Sequence, residues 1–283
     1  MEFSHRPVPR VAAIHDLSGV GRCALTAVIP AMSALGVQVC PLPTACLSTQ
    51  TDGFENFTFC DLTEEVLPVF SHWQKENLNF DGIFSGFLGS LEQVALIEHI
   101  FSHSEGALCV ADPVMGDNGA LYPTVTSEMG YRMRELCGKA DVITPNLTEC
   151  VYLIDRPYSE GVSAMEELKR CLKELCGLGC KTAVLTGVSI DEETLINCAY
   201  ERESGNFYEV RARRLSGKYP GTGDLFTSVL TGLLVRGFPM QKALEIATDY
   251  LSETIRVAIA VGAPPREGVP LERTLPLLMK YNT

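Results

Sequence analysis

Short apolar and β-branched runs alternate along the chain with longer stretches whose apolar residues recur at helical spacing. The runs Val11–His15, Val37–Pro41, Gly82–Ser85, Leu108–Asp112, Val142–Thr144 and Thr182–Thr186 predict strands. Between them Ala24–Leu35, Leu91–His103, Ser127–Cys137 and Ala164–Cys176 predict helices. This alternation argues for βαβ units and a mostly parallel sheet covered on both faces. One segment breaks the rhythm. Ile196–Tyr200 and Asn206–Arg211 flank a polar turn and read as a hairpin that adds antiparallel strands at a sheet edge. Two helices follow, Leu225–Val235 and Met240–Ala260, and Gly237 with Pro239 stops the first of them. No internal repeat or Pro/Gly/Ser-rich linker interrupts the pattern. The expected organisation is one α/β domain over residues 1–283, with residues 1–10 as an N-terminal extension.

Composition narrows the classes of function. A chain of 283 residues buries enough surface to fold without staples. The net charge of −12 and the absence of a Lys/Arg cluster oppose nucleic-acid binding. A small anion remains compatible, since local amides and one or two cations suffice to hold it. No run approaches the length of a membrane span. The first ten residues lack the apolar core of a secretory signal. The 11 cysteines sit mostly in apolar runs and form no C-x-x-C, so reduced, buried thiols in a cytoplasmic protein are expected rather than zinc.

Ligands of open α/β sheets bind beyond the carboxyl ends of the strands. Five predicted strand exits here carry small, hydroxyl or carboxylate residues that no packing argument requires. The most informative stretch, Gly221-Thr222-Gly223-Asp224, stands where a helix begins. Free N–H groups and the helix dipole favour an anion there, and glycines let the backbone approach it. Asp224 reads either as a helix cap or as a base beside that anion hole; the glycines and the other polar exits favour the base. Asp112 and Asp117 bracket a Pro/Gly turn, which fits either a strand terminator or an Mg²⁺ site beside a nucleotide. Asn146 and Glu149, three apart, suit the same site or an ordinary helix start. Gly19-Val20-Gly21-Arg22-Cys23-Ala24 matches G-x-G-x-x-A, but no carboxylate follows near the end of the second strand, which argues against a nicotinamide site. That loop instead reads as part of an acceptor pocket, with His15, Asp16 and Ser18 as hydrogen-bonding groups. The Walker pattern is absent.

Taken in order, "HDLSGVGR", "TACLSTQTDG", "SGFLGS", "DPVMGDNGALY", "TPNLTE", "LTG" and "GTGD" resemble the ribokinase superfamily, and within it the pyridoxal (vitamin B6) kinases. The resemblance implies a ribokinase-like three-layer α/β/α sandwich, a homodimer, and MgATP-dependent phosphorylation of the hydroxymethyl group of pyridoxal, pyridoxine or pyridoxamine. By match to its motifs Asp224 is the general base, and Gly221, Thr222 and Gly223 form the anion hole. Asp117, Asn146 and Glu149 form the Mg²⁺–phosphate group, with Asp117 and Glu149 as the metal carboxylates. Asp112, Thr186 and Gly187 belong to a nucleotide and monovalent-cation (K⁺) site. Leu47, Thr51 and Phe87 take pyridine-pocket positions.

The chain departs from that pattern in two places: His15 stands where many members have a serine, and Leu47 where an aromatic is expected. The "HDLSG" loop also resembles that of the hydroxymethylpyrimidine kinases. Those enzymes often carry a cysteine at or just before the glycine motif, and the segment before it here, Arg213 to Pro220, has none. Lys218 or Arg214 in that segment is a candidate to close over phosphates. Alternatives are a hydroxymethylpyrimidine kinase, a kinase of another small alcohol such as a sugar or nucleoside, and a vitamer-binding protein that has lost turnover.

Overall fold

The four residues Val11 to Ile14 are wholly buried in the first strand, β1 (Arg10–Ser18), as a strand covered on both faces requires. In the computed structural model, which describes residues 7–158 and 165–282, β1 runs beyond the expected strand to take in Asp16, Leu17 and Ser18. The chain divides into two compact units, residues 1–86 with 215–283, and residues 87–214. Residues 1–6 of the expected extension and Ala164 of an expected helix fall outside the described residues.

In the first unit β1 is followed by α1 (Ala24–Ala34), β2 (Gln38–Leu47), β3 (Phe59–Asp61), α2 (Thr63–Lys75) and β4 (Gly82–Ser85). The strand order is β4-β1-β2-β3, with β1 parallel to both its neighbours and β3 antiparallel to β2. The β1–β2 register shifts between His15 and Leu17, beside the candidate residues. Such irregularities re-aim side chains at functional rims.

Helix α2 has no counterpart in the sequence reading, because Pro68 within it mimics a break. It forms because Asp61 Oδ1 accepts from the Thr63 amide at 2.8 Å, Glu64 and Glu65 suit the positive first turn, and Val66 and Phe70 are buried.

The second unit comprises α3 (Leu91–Ser102), β5 (Leu108–Ala111), the short β6 (Gly116–Asp117) and β7 (Ala120–Leu121), α4 (Ser127–Lys139), β8 (Val142–Ile143), α5 (Leu147–Leu153), α6 (Met165–Gly177), β9 (Thr182–Ser189), β10 (Thr194–Glu201) and β11 (Phe207–Arg213). Strands β5, β8 and β9 are parallel neighbours, and β10 and β11 extend them antiparallel, which is the expected edge hairpin. The chain then returns to the first unit as α7 (Thr222–Val235), α8 (Met240–Val261) and the short α9 (Pro276–Met279).

Leu225, Leu230 and Leu233 of α7 are fully buried. Burial of each stabilises by about 1.5–3 kcal/mol. A Cβ on Gly232 would lie 2.9 Å from Leu35 Cδ1, so a small residue there lets α7 lie close against the end of α1. Asp224 stands near the start of the same helix. No described helix is long and apolar enough to cross a membrane. The described cysteines form no disulfide, and all but Cys40, Cys46 and Cys60 are buried.

Candidate active site

Helix α7 opens on Gly221, whose φ of +81° is the left-handed conformation that glycine adopts without strain. A Cβ there would lie 2.2 Å from the Arg22 carbonyl oxygen, so the glycine is also demanded by the backbone it touches. The amides of Thr222, Gly223 and Asp224 belong to the first turn, where N–H groups have no partner within the helix. A Cβ on Gly223 would meet nothing within 4 Å, so open space faces this turn. These are the features an anion hole needs.

Asp224 is the third residue of α7 and does not cap it. Its Oδ2 accepts from the Ala24 amide at 2.7 Å, at the start of α1. Ala24 holds an unusual φ of +47°. Positive φ in a non-glycine residue marks a backbone held by its surroundings. Oδ1 lies 3.2 Å from His15 Nε2. On the far side of the ring, His15 Nδ1 lies 2.9 Å from Asp16 Oδ1, and Ser18 Oγ donates to Asp16 Oδ2 at 2.9 Å. The Asp16 backbone amide is also 2.9 Å from Nδ1. A charge-assisted bond is roughly twice as strong as a neutral one, which favours Nδ1–H donating to the carboxylate over Nδ1 accepting from the amide.

Electrostatics follow from this line of groups. Burial alone would push the His15 imidazole down, but the charge of Asp224 and the bonds to Asp16 and Asp224 raise it to about 10. Burial would push Asp224 up, yet the charge and hydrogen bond of His15 and the Ala24 amide hold it below the ordinary carboxylate value. Asp224 is thus ionised at neutral pH, and its side chain keeps 14% exposure, enough to present one edge. Burial, then the charges of Asp224 and Asp16, push the Cys23 thiol up, which keeps it protonated and unreactive. His15 has both ring nitrogens against carboxylates, and Ser18 donates to Asp16, so these three expected acceptor-pocket groups are engaged with one another and with Asp224.

Leu47 ends β2 and is buried, and its carbonyl accepts from Gly19 at 2.8 Å. Thr51 is exposed in the following loop. Gln50, which the sequence reading passed over, is buried there and donates through Nε2 to the carbonyls of Asp52 and Arg266, each at 2.6 Å. Nothing in the sequence pattern marks it.

In the second unit the Asp112–Asp117 turn is held by Glu149. Its Oε1 accepts from the Met115 amide at 2.8 Å and its Oε2 from the Asn146 amide at 2.9 Å. Asn146 Oδ1 accepts in turn from the Glu149 amide at 3.0 Å, which completes a capping box on α5, and Asn146 Nδ2 donates to the Gly116 carbonyl at 2.8 Å. Val114 in this turn holds a φ of +40°, an outlier for a β-branched residue.

Burial, then the charge of Asp112, raises the Glu149 carboxyl above its ordinary range. With both oxygens engaged, Glu149 shapes the turn, as the helix-start reading expects. Asp117 is half-buried and accepts from the Asn118 amide and side chain. No cluster of three or more ligating side chains occurs among the described residues. Mg²⁺ beside a nucleotide needs only one or two carboxylates, the rest being phosphate and water. Asp112 and Asp117 are hard oxygen donors of that kind.

Thr186 donates its amide to the Pro145 carbonyl at 3.0 Å, and the Gly187 amide donates to Asn197 Oδ1 at 2.7 Å, where the β9–β10 register shifts. Asn197 is a buried support that the hairpin pattern alone did not reveal. Phe87 begins the second unit and is half-buried.

Comparison with protein families matches residues 16–268 to the phosphomethylpyrimidine kinase family. A solved structure from Bacteroides thetaiotaomicron VPI-5482, provisionally assigned as a phosphomethylpyrimidine kinase and in a form with pyridoxal, is 44% identical, with 96% of each chain covered and a TM-score of 0.91. The pyridoxal kinase of Lactobacillus plantarum is 33% identical, with 98% of each chain covered and a TM-score of 0.89. The hydroxymethylpyrimidine/phosphomethylpyrimidine kinase of Aquifex aeolicus is 25% identical over 70% of this chain and 74% of its own.

Proposed function

This chain belongs to the phosphomethylpyrimidine kinase family and is a phosphotransferase, and from that premise we propose that it transfers the γ-phosphoryl group of ATP to the 5′-hydroxymethyl group of a B6 vitamer. The observation that carries the chemistry is Asp224: a half-buried carboxylate kept ionised, in the first turn of a helix where open space lies beside Gly223. The acceptor is argued from the similarity to a structure with pyridoxal and to a pyridoxal kinase. The Aquifex relative keeps hydroxymethylpyrimidine as a second reading, and it is the same kind of primary alcohol.

In this reading the acceptor oxygen forms a bond to the γ-phosphorus as the bond to the β–γ bridging oxygen breaks. The hydroxyl proton passes to Asp224, and ADP leaves. Such a transfer depends on placement and charge stabilisation more than on covalent help. The amides of Thr222, Gly223 and Asp224 meet the charge on the moving group. Asp224 contributes about 10²–10⁴-fold as base. Leu47, Thr51 and Phe87 line the acceptor ring by their motif positions, and Asp112, Asn146, Thr186 and Gly187 serve the nucleotide.

Mg²⁺, when bound, neutralises phosphate charge; Asp117 would hold it, with Glu149 acting through water because its own oxygens hold the turn. Asp112 and Thr186 are the positions for a monovalent cation. Lys218 and Arg214 are candidates to close over phosphate. A homodimer in the cytoplasm completes the reading.

A coupled assay of ADP formation tests the proposal across pyridoxal, pyridoxine, pyridoxamine and hydroxymethylpyrimidine. Highest kcat/KM on a B6 vitamer is expected. A clear preference for hydroxymethylpyrimidine would assign the second reading, and tight vitamer binding without ADP formation would make the protein a binder.

A further inference from the structure

His15 occupies a site made for its ring. A Cβ on Gly86, at the end of β4, would lie 1.9 Å from His15 Cδ2 and 2.2 Å from Nε2. The Gly86 amide donates to the Ile14 carbonyl at 2.9 Å, so the strand end carrying the glycine is tied to the strand carrying the histidine. Phe84 of β4 packs on the imidazole at a centroid distance of 6.1 Å. The ring is 2% exposed, and its two nitrogens face Asp16 and Asp224.

A buried imidazole with a carboxylate at each end fixes the orientation of both. Here one of those carboxylates is the candidate base, and its second oxygen is fixed by the Ala24 amide. A histidine serving only to fill space would not require a buried and a half-buried aspartate at its two nitrogens, because burying unpaired charge is costly.

We infer that His15 is a positioning residue for phosphoryl transfer, an imidazolium clamped between Asp16 and Asp224 that fixes the Asp224 carboxylate as the base, with Ser18 anchoring Asp16 behind it. The inference rests on the reading of Asp224 as the base. It removes His15 from the list of acceptor contacts and gives the "HDLS" segment a different task, namely to build a charged clamp on the base. The charged groups that act on the clamp are Asp16 on β1 and Asp224 on α7; the Cys23 thiol before α1 feels both carboxylates and stays neutral.

The charge sign gives a readout that packing alone would not produce. The positive ring holds Asp224 ionised against the effect of burial. His15→Gln can still donate from its side-chain amide to Asp224 but carries no charge. Loss of an opposite charge at this range raises a carboxylate by about 1–3 units. The acid limb of the kcat/KM profile should therefore move upward by about that amount, with kcat reduced and KM for ATP little changed. Asp16→Asn removes one of the two groups that keep the ring protonated, so the alkaline limb should move downward while the acid limb stays.

Both variants are compared with wild type and with Asp224→Asn in steady-state pH profiles from pH 5 to 10, with circular dichroism on each. Nitrogen-15 spectra of wild-type protein labelled at histidine report directly on the ring. Two protonated nitrogens on His15 at pH 8 are expected, and a single protonated nitrogen there would overturn the inference, whatever the variants do. If Asp224→Asn lowers kcat on the order of 10²-fold or more and the limbs shift as described, the inference stands. Should Asp224→Asn lower kcat on the order of 10²-fold or more while folded His15→Gln and Asp16→Asn keep wild-type profiles, the inference fails and the base reading survives. An Asp224→Asn enzyme that turns over at close to the wild-type rate would remove both.

Discussion

At the scale of single residues, the chemistry is set by what lies beside each group. Asp224 alone reads equally well as a helix cap or a base. Its position three residues into α7, its bond to another helix's first amide and the imidazole at 3.2 Å remove the cap reading. Glu149 goes the other way: it resembles a metal ligand in sequence, and both of its oxygens are bonded to backbone amides. Gly86 is the residue whose importance the sequence hides most, since "SGF" reads as any strand exit.

Gly86→Ala should push the ring aside, at a cost of about 1–3 kcal/mol in stability for overpacking. Displacing the clamp by about an ångström should lower kcat on the order of 10²-fold. Urea midpoints and kcat measured on the same preparation check this. A stable Gly86→Ala enzyme with wild-type kcat would contradict the account of the ring's site.

At the scale of elements, hydrophobic period was enough to place most strands and helices, because β1, β5 and β9 are buried on both faces and the long helices keep one apolar face. It missed α2, where Pro68 overrode a buried Val66–Phe70 face, and the short α5, whose 7 residues are too few to show a period. It stopped β1 short at His15, because Asp16 and Ser18 look like loop residues until they are seen to be bonded inside a buried cluster. Contacts between residues far apart in the chain, such as Ala24 with Asp224 or Gln50 with Arg266, leave no trace in local pattern.

The capping box on α5 carries a prediction of its own. Asn146→Ala removes the acceptor for the Glu149 amide and the donor to Gly116. A lost cap costs about 1 kcal/mol, and the second bond about 1 kcal/mol more. The urea midpoint should fall accordingly with an unchanged slope. No change in midpoint would mean that the box does not hold the Asp112–Asp117 turn.

At the scale of the whole molecule, a net charge of −12 leaves phosphate recognition to local groups: helix amides, glycine backbone and a few cations. The chain builds its first unit from both of its ends, and Asp224 arrives only with the returning segment at residue 215 and beyond. No local reading places Asp224 beside His15, since 209 residues separate them in sequence.

Turnover is the property that draws on the whole chain, and Asp224→Asn probes it most directly. Nearly isosteric, it removes the proposed base while leaving the helix start intact. Measured together, kcat with a B6 vitamer and ATP, and ATP binding by calorimetry, should show ATP affinity retained and kcat reduced on the order of 10²-fold or more. A folded Asp224→Asn protein that binds ATP and turns over at close to the wild-type rate would contradict the account.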